Sequence, residues 1–422
     1  MIQQKHPRIP QEVTALIAAL QLDDFKIELL QALNEEQWHN LLRFCDLSQL
    51  TLPLVQLPLD NFPVWVSDRL RCNLADNKLR FERIKTSYKE AASALDSAGA
   101  EYIVIKGFTQ APEYVATPQQ RVQSDLDLYC LPKTIPAAKS ALEKIGYSPE
   151  KSTNITAADH EHILVRSQSW QWKNNYFDPD MPLGIELHFC LWNSHVSRLT
   201  IPEVETFWER RIIREIDGFS FPCLDPVDHL GHLTLHILRN ILLRNWIVHH
   251  VRELAVFLHS HANDDDFWET WEAQHSPSLR SLEAIAFYHA IAWFQCRVHP
   301  KIKHEIESLP AVQLNWLKRF SNSALENMFK PNKDALWLHL SLVKSHQEQW
   351  RVLKHTLVPQ QIAPLQSPIV KIRNKRVVQS DAGPIRAYIS YLLSRSLSHS
   401  KAGISTLYRG LSWWLSKNHL PG

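Results

Sequence analysis

One short segment, Ser124-Asp125-Leu126-Asp127-Leu128, constrains this chain more than any other, because it alternates acidic and apolar side chains. Alternation with a period of two is typical of a β-strand, whose successive side chains point to opposite faces of the sheet. The two aspartates therefore share one face, and the two leucines share the other. Carboxylates held that close repel each other unless a proton or a divalent cation lies between them. The segment predicts a strand that carries a cation site, and Mg²⁺ or Mn²⁺ is the ion that oxygen ligands favour.

Two further runs predict strands that bring polar residues beside this pair. Residues 102–105 are apolar and β-branched, and they end at the turn Lys106-Gly107. Residues 184–191 form another strand candidate, which contains Glu186. Strands and helices that alternate over so short a span favour a small mixed sheet in which the acid-bearing strands lie side by side. We therefore expect Glu186 to join the two aspartates as a third carboxylate.

Composition favours helices elsewhere in the chain. The 422 residues include only 10 glycines, and 45% of all residues are hydrophobic. This length and composition are expected for a globular protein of two or three domains. Residues 64–98 contain neither proline nor glycine, which predicts one long helix. Asn34 followed by Gln37 is typical of a capping box at the start of another helix. We expect an α+β fold, predominantly helical, with a small mixed β-sheet core flanked by N-terminal and C-terminal α-helical regions.

The positions of these elements suggest four regions along the chain. They are an N-terminal helical region ending in the long helix (1–97), the core sheet (98–224), a helical domain covering the active-site cleft (225–342), and a basic connector with C-terminal helices (343–422). Within the last region, prolines and basic residues at 358–384 predict an irregular connector before a final helix at 385–417.

Charge is distributed unevenly along the chain. Residues 343–422 carry 12 lysines and arginines against two acidic residues, a formal charge of +10. Because the whole chain has a charge of +2, residues 1–342 carry −8. A basic region of this kind favours an anionic partner such as a membrane surface, a nucleic acid or a polyanionic substrate. The alternative, a solvated helical face that docks on the acidic remainder, stays open.

Several classes of protein are disfavoured by the sequence. No run of about eighteen apolar residues predicts a transmembrane segment, and the first residues lack the apolar core of a signal peptide. The six cysteines are scattered without a CxxC pair, so neither a disulfide framework nor a zinc ribbon is indicated. We expect a cytoplasmic protein.

The motifs around the predicted strands resemble those of a known family, the uncharacterised nucleotidyltransferases of the polymerase-β-like superfamily. The resemblance rests on an apolar run ending in Lys-Gly, an Arg-x-x-Ser-Asp-Leu-Asp-Leu motif and a later Glu-Leu-His strand, which here are residues 103–107, 121–128 and 186–188. It covers the chain from about residue 90 to 195, and the helical flanks also suit the family. The wider superfamily usually has Gly-Ser at the first turn, whereas this chain has Lys-Gly.

The resemblance implies an enzyme that transfers a nucleoside monophosphate from an NTP donor to a hydroxyl acceptor, with release of pyrophosphate. In that chemistry two metal ions held by carboxylates stabilise the entering and leaving oxygens. Asp125 and Asp127 would hold the ions, while Glu186 would either ligate the ion beside the acceptor hydroxyl or act as its general base. The nucleotide would contact a second set of groups, namely the Gly107 backbone, the cations Lys106 and Arg121, and the Ser124 hydroxyl.

Histidines near the predicted sheet have two interpretations. His229, His232 and His236 fall on one face of a predicted helix. No glutamate or cysteine accompanies them at zinc-ligand spacing, so a zinc site is disfavoured. We expect this helix to line the cleft, where His236 would contact the nucleotide, while a packing role is equally open. His188 would touch the metal or the acceptor, or would serve as a hydrogen-bonded structural group.

Two other functions are compatible with the sequence. A glycosyltransferase also uses a metal-binding Asp-x-Asp, although it needs a larger nucleotide-binding domain than about a hundred residues. A non-catalytic nucleotide- or partner-binding accessory protein of a biosynthetic cluster would keep the motifs without turnover, which the presence of all three acids disfavours. The acceptor is undetermined, and RNA, a glycan, a small molecule and a protein are all compatible.

Overall fold

Helices and one sheet make up the protein in a computed structural model, which describes residues 9–150, 159–166, 169–245, 248–357, 393, 395–397 and 399–410. The α-helices with assigned bounds are α1 (Gln11–Ala19), α2 (Glu28–Gln31), α3 (Glu35–Ser48), α4 (Thr51–Val55), α5 (Val64–Ser97), α6 (Ile135–Lys144), α7 (Ser194–Ser197), α8 (Pro226–Leu243), α9 (Val248–Ser260), α10 (Asp265–Gln274), α11 (Pro277–Phe294), α12 (Pro300–Glu307), α13 (Ala311–Phe320), α14 (Ser323–Phe329), α15 (Ala335–Leu342) and α16 (His346–Leu357). Short 3-10 helices cover Leu59–Asn61, Gly107–Gln110, Pro118–Gln120 and Pro202–Arg210. The strands are β1 (Ile103–Ile105), β2 (Asp125–Tyr129), β3 (Tyr147–Pro149), β4 (Leu164–Arg166), β5 (Gly184–His188), β6 (Ile212–Ile216) and β7 (Phe219–Cys223).

The strands form a mixed sheet of seven strands in the order β3-β4-β5-β2-β1-β7-β6. Strand β2 pairs in parallel with β5 and antiparallel with β1, and β1 pairs in parallel with β7. A mixed sheet of this size in a chain that is otherwise helical confirms the predicted α+β fold. The acid-bearing strands β2 and β5 are direct neighbours, as predicted.

One face of the sheet is covered by apolar side chains from α5 and α6. The predicted long helix is α5, and its Tyr88 and Leu95 belong to the same buried cluster as Leu126 and Leu128 of β2. Burying a leucine side chain stabilises a protein by about 1.5–3 kcal/mol. The two leucines therefore fix which face of β2 points into this core. The aspartates that alternate with them are directed to the opposite face.

A hairpin of β6 and β7 extends the sheet beyond β1, and it is absent from the strands predicted above. Its turn is Asp217-Gly218, where both residues have positive φ angles, of 52° and 74°. The flanking residues Ile216 and Phe219 are paired, so the loop has two residues. Two central residues with positive φ define a type I′ turn, for which Asp-Gly is a preferred pair. This dipeptide between apolar runs is the sequence signal that marks the hairpin.

The helices that follow the sheet are joined by a chain of buried polar side chains. Arg210 donates two hydrogen bonds to Asp228, at 2.8 and 2.7 Å. The His275 ring bridges two carboxylates, with Nε2 3.3 Å from Asp228 Oδ1 and Nδ1 2.9 Å from Glu283 Oε1. Trp271 Nε1 donates to the other oxygen of Glu283 at 2.7 Å. Burial alone would lower the pKa of His275, but the two carboxylates raise it to about 9, so the imidazole stays charged at neutral pH.

The described residues group into two compact units. The first takes the described residues within 10–240 and those at 248–317, and it contains the sheet and all residues predicted to form the site. The second takes residue 9, residues 241–245 and the described residues from 318 onward. The division of the chain into the four regions given above stays a prediction.

The second unit has its own small apolar cluster and a buried ion pair. Leu336, Val343 and Val352, from α15, the residue after it and α16, form the cluster. Asp334, which is fully buried, pairs with Arg409. This ion pair ties the last described segment to the start of α15.

Most of the basic C-terminal region lies outside the described residues. This holds for the predicted connector at 358–384 and for much of the predicted final helix at 385–417. Of that helix, residues 399–410 are described in full and are helical. The anionic partner or membrane surface expected for residues 343–422 stays a prediction. None of the described helices has both the length and the apolar character needed to cross a membrane.

Candidate active site

The acidic residues lie on one face of the sheet because of the register between β2 and β5. Asp127 is directly opposite Glu186, and Asp125 is opposite Gly184. Paired positions of strands in register place their side chains on the same face, and so do positions two residues apart on one strand. The three predicted carboxylates therefore share the face opposite the buried leucines.

His188 joins this group, because it lies two residues after Glu186 on β5. One potential ligand atom from each of Asp127, Glu186 and His188 lies within 4.8 Å of the others. Among the described residues, this is the cluster with the spacing of a metal site. Asp125 lies on the same face but outside this tight cluster. The structure thus brings two of the three predicted acids to ligand spacing and adds an imidazole to them.

The Lys106-Gly107 turn places an ammonium group against the acids. Lys106 has φ 57° and ψ −156°, a conformation that belongs almost entirely to glycine, and such strain is concentrated at functional sites. Gly107 follows with φ 55°. The turn brings Lys106 Nζ to 2.6 Å from Asp127 Oδ1. His188 Nε2 lies 2.8 Å from the same oxygen, so one carboxylate oxygen is paired with two nitrogen groups.

The electrostatic environment shifts the pKa values of Asp125 and Asp127 in opposite directions. Burial alone would raise the pKa of Asp127, but the Lys106 ammonium and the His188 hydrogen bond hold it well below its usual range. Burial, reinforced by the charges of Asp127 and Glu186, raises the pKa of Asp125 to about 7. The site therefore contains an ion pair beside a carboxylate whose charge is opposed by its neighbours. A further cation on this face would relieve that repulsion.

Two residues that the sequence did not single out surround this group, Asp159 and His160. Asp159 pairs with Arg239, and its Oδ1 lies 3.9 Å from His188 Nδ1. His160 Nε2 lies 3.9 Å from Glu186 Oε2. An isolated β-bridge between His160 and His188 brings them there. No motif marks either residue, since their positions depend on this long-range pairing.

Arg121 forms an ion pair with Glu253 of α9. Its Nε lies 2.7 Å from Glu253 Oε1, and the two side chains are only 9% and 6% exposed. His250 Nδ1 lies 3.4 Å from the other oxygen of Glu253. Burial is the main cause of the raised pKa of Asp125, and the Arg121 charge opposes that rise. The Arg121 guanidinium therefore acts electrostatically on the acidic face, although it is ion-paired with Glu253. No local pattern marks this pairing, because 132 residues separate the partners.

The histidines of α8 are neutral because they are enclosed. Burial lowers the pKa of His229 and of His232 to about 3. Burial, together with the charge of the neighbouring His250, also lowers the pKa of His236 well below its usual value. The Lys106 charge adds to this effect on His232 and His236, so both rings lie near the basic turn. Contact of His236 with a nucleotide stays a prediction, as it does for Ser124, which is exposed.

Replacing Gly107 with alanine is expected to destabilise the protein more than the same change at Gly99. Both glycines have positive φ angles, of 55° and 63°, so both replacements incur left-handed strain of about 1–2 kcal/mol. At Gly107 the new Cβ would also lie 2.4 Å from Gln123 Nε2, whereas nothing lies within 4 Å at Gly99. Gln123 donates to the Asp125 carbonyl at 2.7 Å, so the clash would act on the acidic strand. Urea unfolding measures both losses, and equal losses would show that Gln123 moves aside freely.

The acidic face and the basic turn beside it are the features by which the sequence resembles nucleotidyltransferases. The sequence profile of the family described as "uncharacterised nucleotidyltransferase" matches residues 34–295, more than half of the chain. The chain belongs to this family, which confirms the resemblance, and it is a transferase that acts on nucleotidyl groups. This membership disfavours the glycosyltransferase alternative. No curated protein and no solved structure matches the chain.

Proposed function

We propose that the protein transfers a nucleoside monophosphate from an NTP to a hydroxyl group of an acceptor, with release of pyrophosphate and with Mg²⁺ or Mn²⁺ as cofactor. The observation that supports this most directly is the pairing of Asp127 with Glu186 across two parallel strands, beside the basic turn at Lys106. A nucleotidyl transfer site needs carboxylates that hold cations and a positive charge for the phosphates. Both lie on one face of the sheet here.

The residues present fit a divalent cation. Asp127, Glu186 and His188 offer ligand atoms within 4.8 Å of one another, and carboxylate oxygens are the ligands that Mg²⁺ and Mn²⁺ favour. Within the described residues, the nitrogen groups of Lys106 and His188 both contact Asp127 Oδ1, which leaves Oδ2 available to a cation. Asp125, whose charge is opposed by its neighbours, would complete the set. When bound, the ions would stabilise the charge that develops on the entering and leaving oxygens.

The basic turn would hold the donor phosphates. Lys106 already lies in hydrogen-bond contact with Asp127, so its ammonium would sit between the carboxylate and a phosphate oxygen. Gly107 has no side chain, which allows the backbone to approach the phosphates closely. Ser124, exposed at the start of β2, would donate its hydroxyl to a phosphate oxygen. Arg121 would act mainly through its charge, because Glu253 already accepts its Nε–H.

Glu186 would act on the acceptor side of the reaction. Its Oε2 lies 3.4 Å from His188 Nε2 and 3.9 Å from His160 Nε2, so two imidazoles lie close to the same carboxylate oxygen. A carboxylate in this position would either ligate the cation beside the acceptor hydroxyl or accept the proton of that hydroxyl. In both roles it would make the hydroxyl oxygen a better nucleophile towards the α-phosphorus.

Label transfer from nucleotides tests the proposal. The purified protein would be incubated with each α-labelled NTP, Mg²⁺ or Mn²⁺ and a cell extract, and products would be separated into RNA, glycan, protein and small-molecule fractions. We expect label in one fraction, equimolar pyrophosphate release, and loss of both when a chelator removes the metal. Nucleotide binding without pyrophosphate release or label transfer would contradict the proposal and favour a non-catalytic binding protein.

A further inference from the structure

The last described helical residues, at 393, 395–397 and 399–410, expose an apolar face to solvent. Five large side chains recur there one or two helical turns apart, each between 43% and 74% exposed, and they are Leu393, Leu397, Ile404, Leu407 and Tyr408. We call them the C-terminal apolar stripe. Single exposed apolar side chains are normal on a protein surface, whereas a patch of them indicates an interaction site.

The opposite face of the same helix is packed against the second unit, to which the helix belongs. Ala402, Thr406 and Gly410 lie on that face one turn apart, and all three are buried. The Thr406 hydroxyl accepts the backbone N–H of Lys333 at 3.0 Å. Gly410 packs so closely that a Cβ there would collide with the Trp337 ring. These contacts fix the rotation of the helix about its axis, so the stripe faces away from the unit.

Polar side chains of this helix also point inward. Arg409 pairs with the buried Asp334 and lies 3.5 Å from Glu326. His399 Nε2 lies 2.8 Å from the Leu357 carbonyl oxygen. An ordinary surface helix has the reverse arrangement, with its apolar face buried and its polar face in water. Since polar contacts and small residues attach this helix, its apolar face is left for a partner.

The charge around the stripe indicates the chemistry of that partner. Residues 318–422 carry 16 lysines and arginines against four acidic residues, a formal charge of +12. Three of the acids, Glu326, Asp334 and Glu348, already form ion pairs with arginines. Lys401, one turn after Leu397, is exposed beside the stripe. A complementary surface is therefore apolar opposite the stripe and anionic around it.

An anionic lipid bilayer combines these two properties at its interface. A second copy of the chain would cover the stripe, but it would bring two regions of +12 together, and like charges repel. Single-stranded nucleic acid would supply phosphates, but its bases stack on aromatic side chains, and Tyr408 is the one aromatic residue of the stripe. The aliphatic side chains thus favour lipid over nucleic acid.

We propose that the C-terminal apolar stripe binds the surface of an anionic lipid bilayer, with the helix lying in the plane of the interface. The leucines and Ile404 enter the boundary between headgroups and acyl chains, about 5–10 Å deep. Lys401 and the other basic residues of the region contact the lipid phosphates. Tyr408 keeps its hydroxyl at the wet side of that boundary. This inference is independent of the proposed function, because no residue of the acidic face takes part.

Flotation of the full-length protein with lipid vesicles tests the proposal. One set of vesicles contains phosphatidylcholine alone, and the other also contains about one third phosphatidylglycerol. Each basic residue near an anionic surface contributes about 1 kcal/mol, or about fivefold in affinity. We therefore expect at least about tenfold tighter binding to the anionic vesicles, weakened by added NaCl. Equal binding to both sets, or none to the anionic set, overturns the proposal.

A double variant shows whether the stripe makes the contact. Leu397→Gln combined with Ile404→Gln is expected to weaken binding to anionic vesicles by at least about tenfold, because two aliphatic side chains no longer leave water. Both positions are exposed, so the variant should fold, which circular dichroism and urea unfolding check. Leu79→Gln with Ile213→Gln is the matched control, since these residues are 60% and 71% exposed on α5 and β6 of the first unit. Equal binding by the stripe variant and the control overturns the proposal.

Two further measurements distinguish the other occupants. Sedimentation velocity without lipid is expected to show no association that depends on the stripe, and a dimer that the Leu397→Gln, Ile404→Gln variant loses would assign the stripe to a second copy. A short single-stranded RNA is expected to bind this variant and the unaltered protein equally. RNA binding that is lost in the variant would assign the stripe to nucleic acid. Either loss overturns the proposal.

Discussion

Changing Asp127 to asparagine is expected to lower the rate of nucleotidyl transfer by at least about a hundredfold, since a carboxylate that holds the catalytic cation contributes several kcal/mol to transition-state stabilisation. Asparagine has the same shape but no negative charge. It would therefore neither hold the cation nor balance Lys106, whose Nζ lies 2.6 Å from Asp127 Oδ1. We expect Glu186→Gln to have an effect of the same order, because Glu186 faces Asp127 on the neighbouring strand. Label incorporation and pyrophosphate release at saturating Mg²⁺ or Mn²⁺ measure both rates.

A control on the same sheet separates this effect from a general change of charge. Glu215 lies on β6 and is exposed, so Glu215→Gln removes one negative charge far along the strand order and should leave the rate unchanged. Circular dichroism and urea unfolding would show that the Asp127→Asn protein is folded. If folded Asp127→Asn and Glu186→Gln proteins both transfer label at the rate of the unaltered protein, the acidic face is not the catalytic site.

The alternation of Asp125 and Asp127 with leucines predicted much of the architecture, because strand periodicity is local and the hydrophobic effect fixes which face is buried. The apolar run before Lys106 and the later run around Glu186 added the neighbouring strands, and β1, β2 and β5 lie side by side in the structure. The hairpin of β6 and β7 has an equally local signal in its Asp-Gly turn. This hairpin was not predicted, although its turn makes it predictable from the sequence. Local sequence patterns are thus sufficient to predict that these strands exist.

The contacts that the site residues make could not be predicted from local sequence patterns. Glu253 binds Arg121 across 132 residues of sequence, and Asp159 reaches His188 only because residue 160 forms a bridge to β5. Such contacts depend on tertiary packing, which no spacing in one sequence encodes. The contact of Lys106 with Asp127 depends equally on a backbone conformation that lysine rarely adopts. Local patterns therefore identified the acids and several charged groups near them, but not the partners that those groups contact.

The largest effect on stability is expected from Glu283→Ala, which removes one carboxylate from the buried network of α8, α10 and α11. Glu283 is fully buried and contacts His275 Nδ1 at 2.9 Å and Trp271 Nε1 at 2.7 Å. Its loss leaves a charged imidazole with one carboxylate, Asp228, and leaves an indole N–H without an acceptor. Breaking a buried ion pair by removing one partner costs about 3–5 kcal/mol. Urea unfolding at pH 6 followed by far-UV circular dichroism measures the loss.

Glu272→Ala is the matched control, because Glu272 lies on α10 and pairs with Lys301 at 2.7 Å, but at the surface. An exposed pair of this kind contributes at most about 1 kcal/mol, so equal losses in the two variants would contradict the assigned role of the network.

The difference in the free energy of unfolding between the unaltered protein and Glu283→Ala should also depend on pH. The folded protein holds the pKa of His275 at about 9, above the value of about 6.5 in an unfolded chain. The stability from this charge is therefore complete below pH 6.5 and disappears as the pH rises through 9. The difference in the free energy of unfolding between the unaltered protein and Glu283→Ala should therefore become smaller over that pH range. A difference that stays constant would show that His275 is not charged in the folded state.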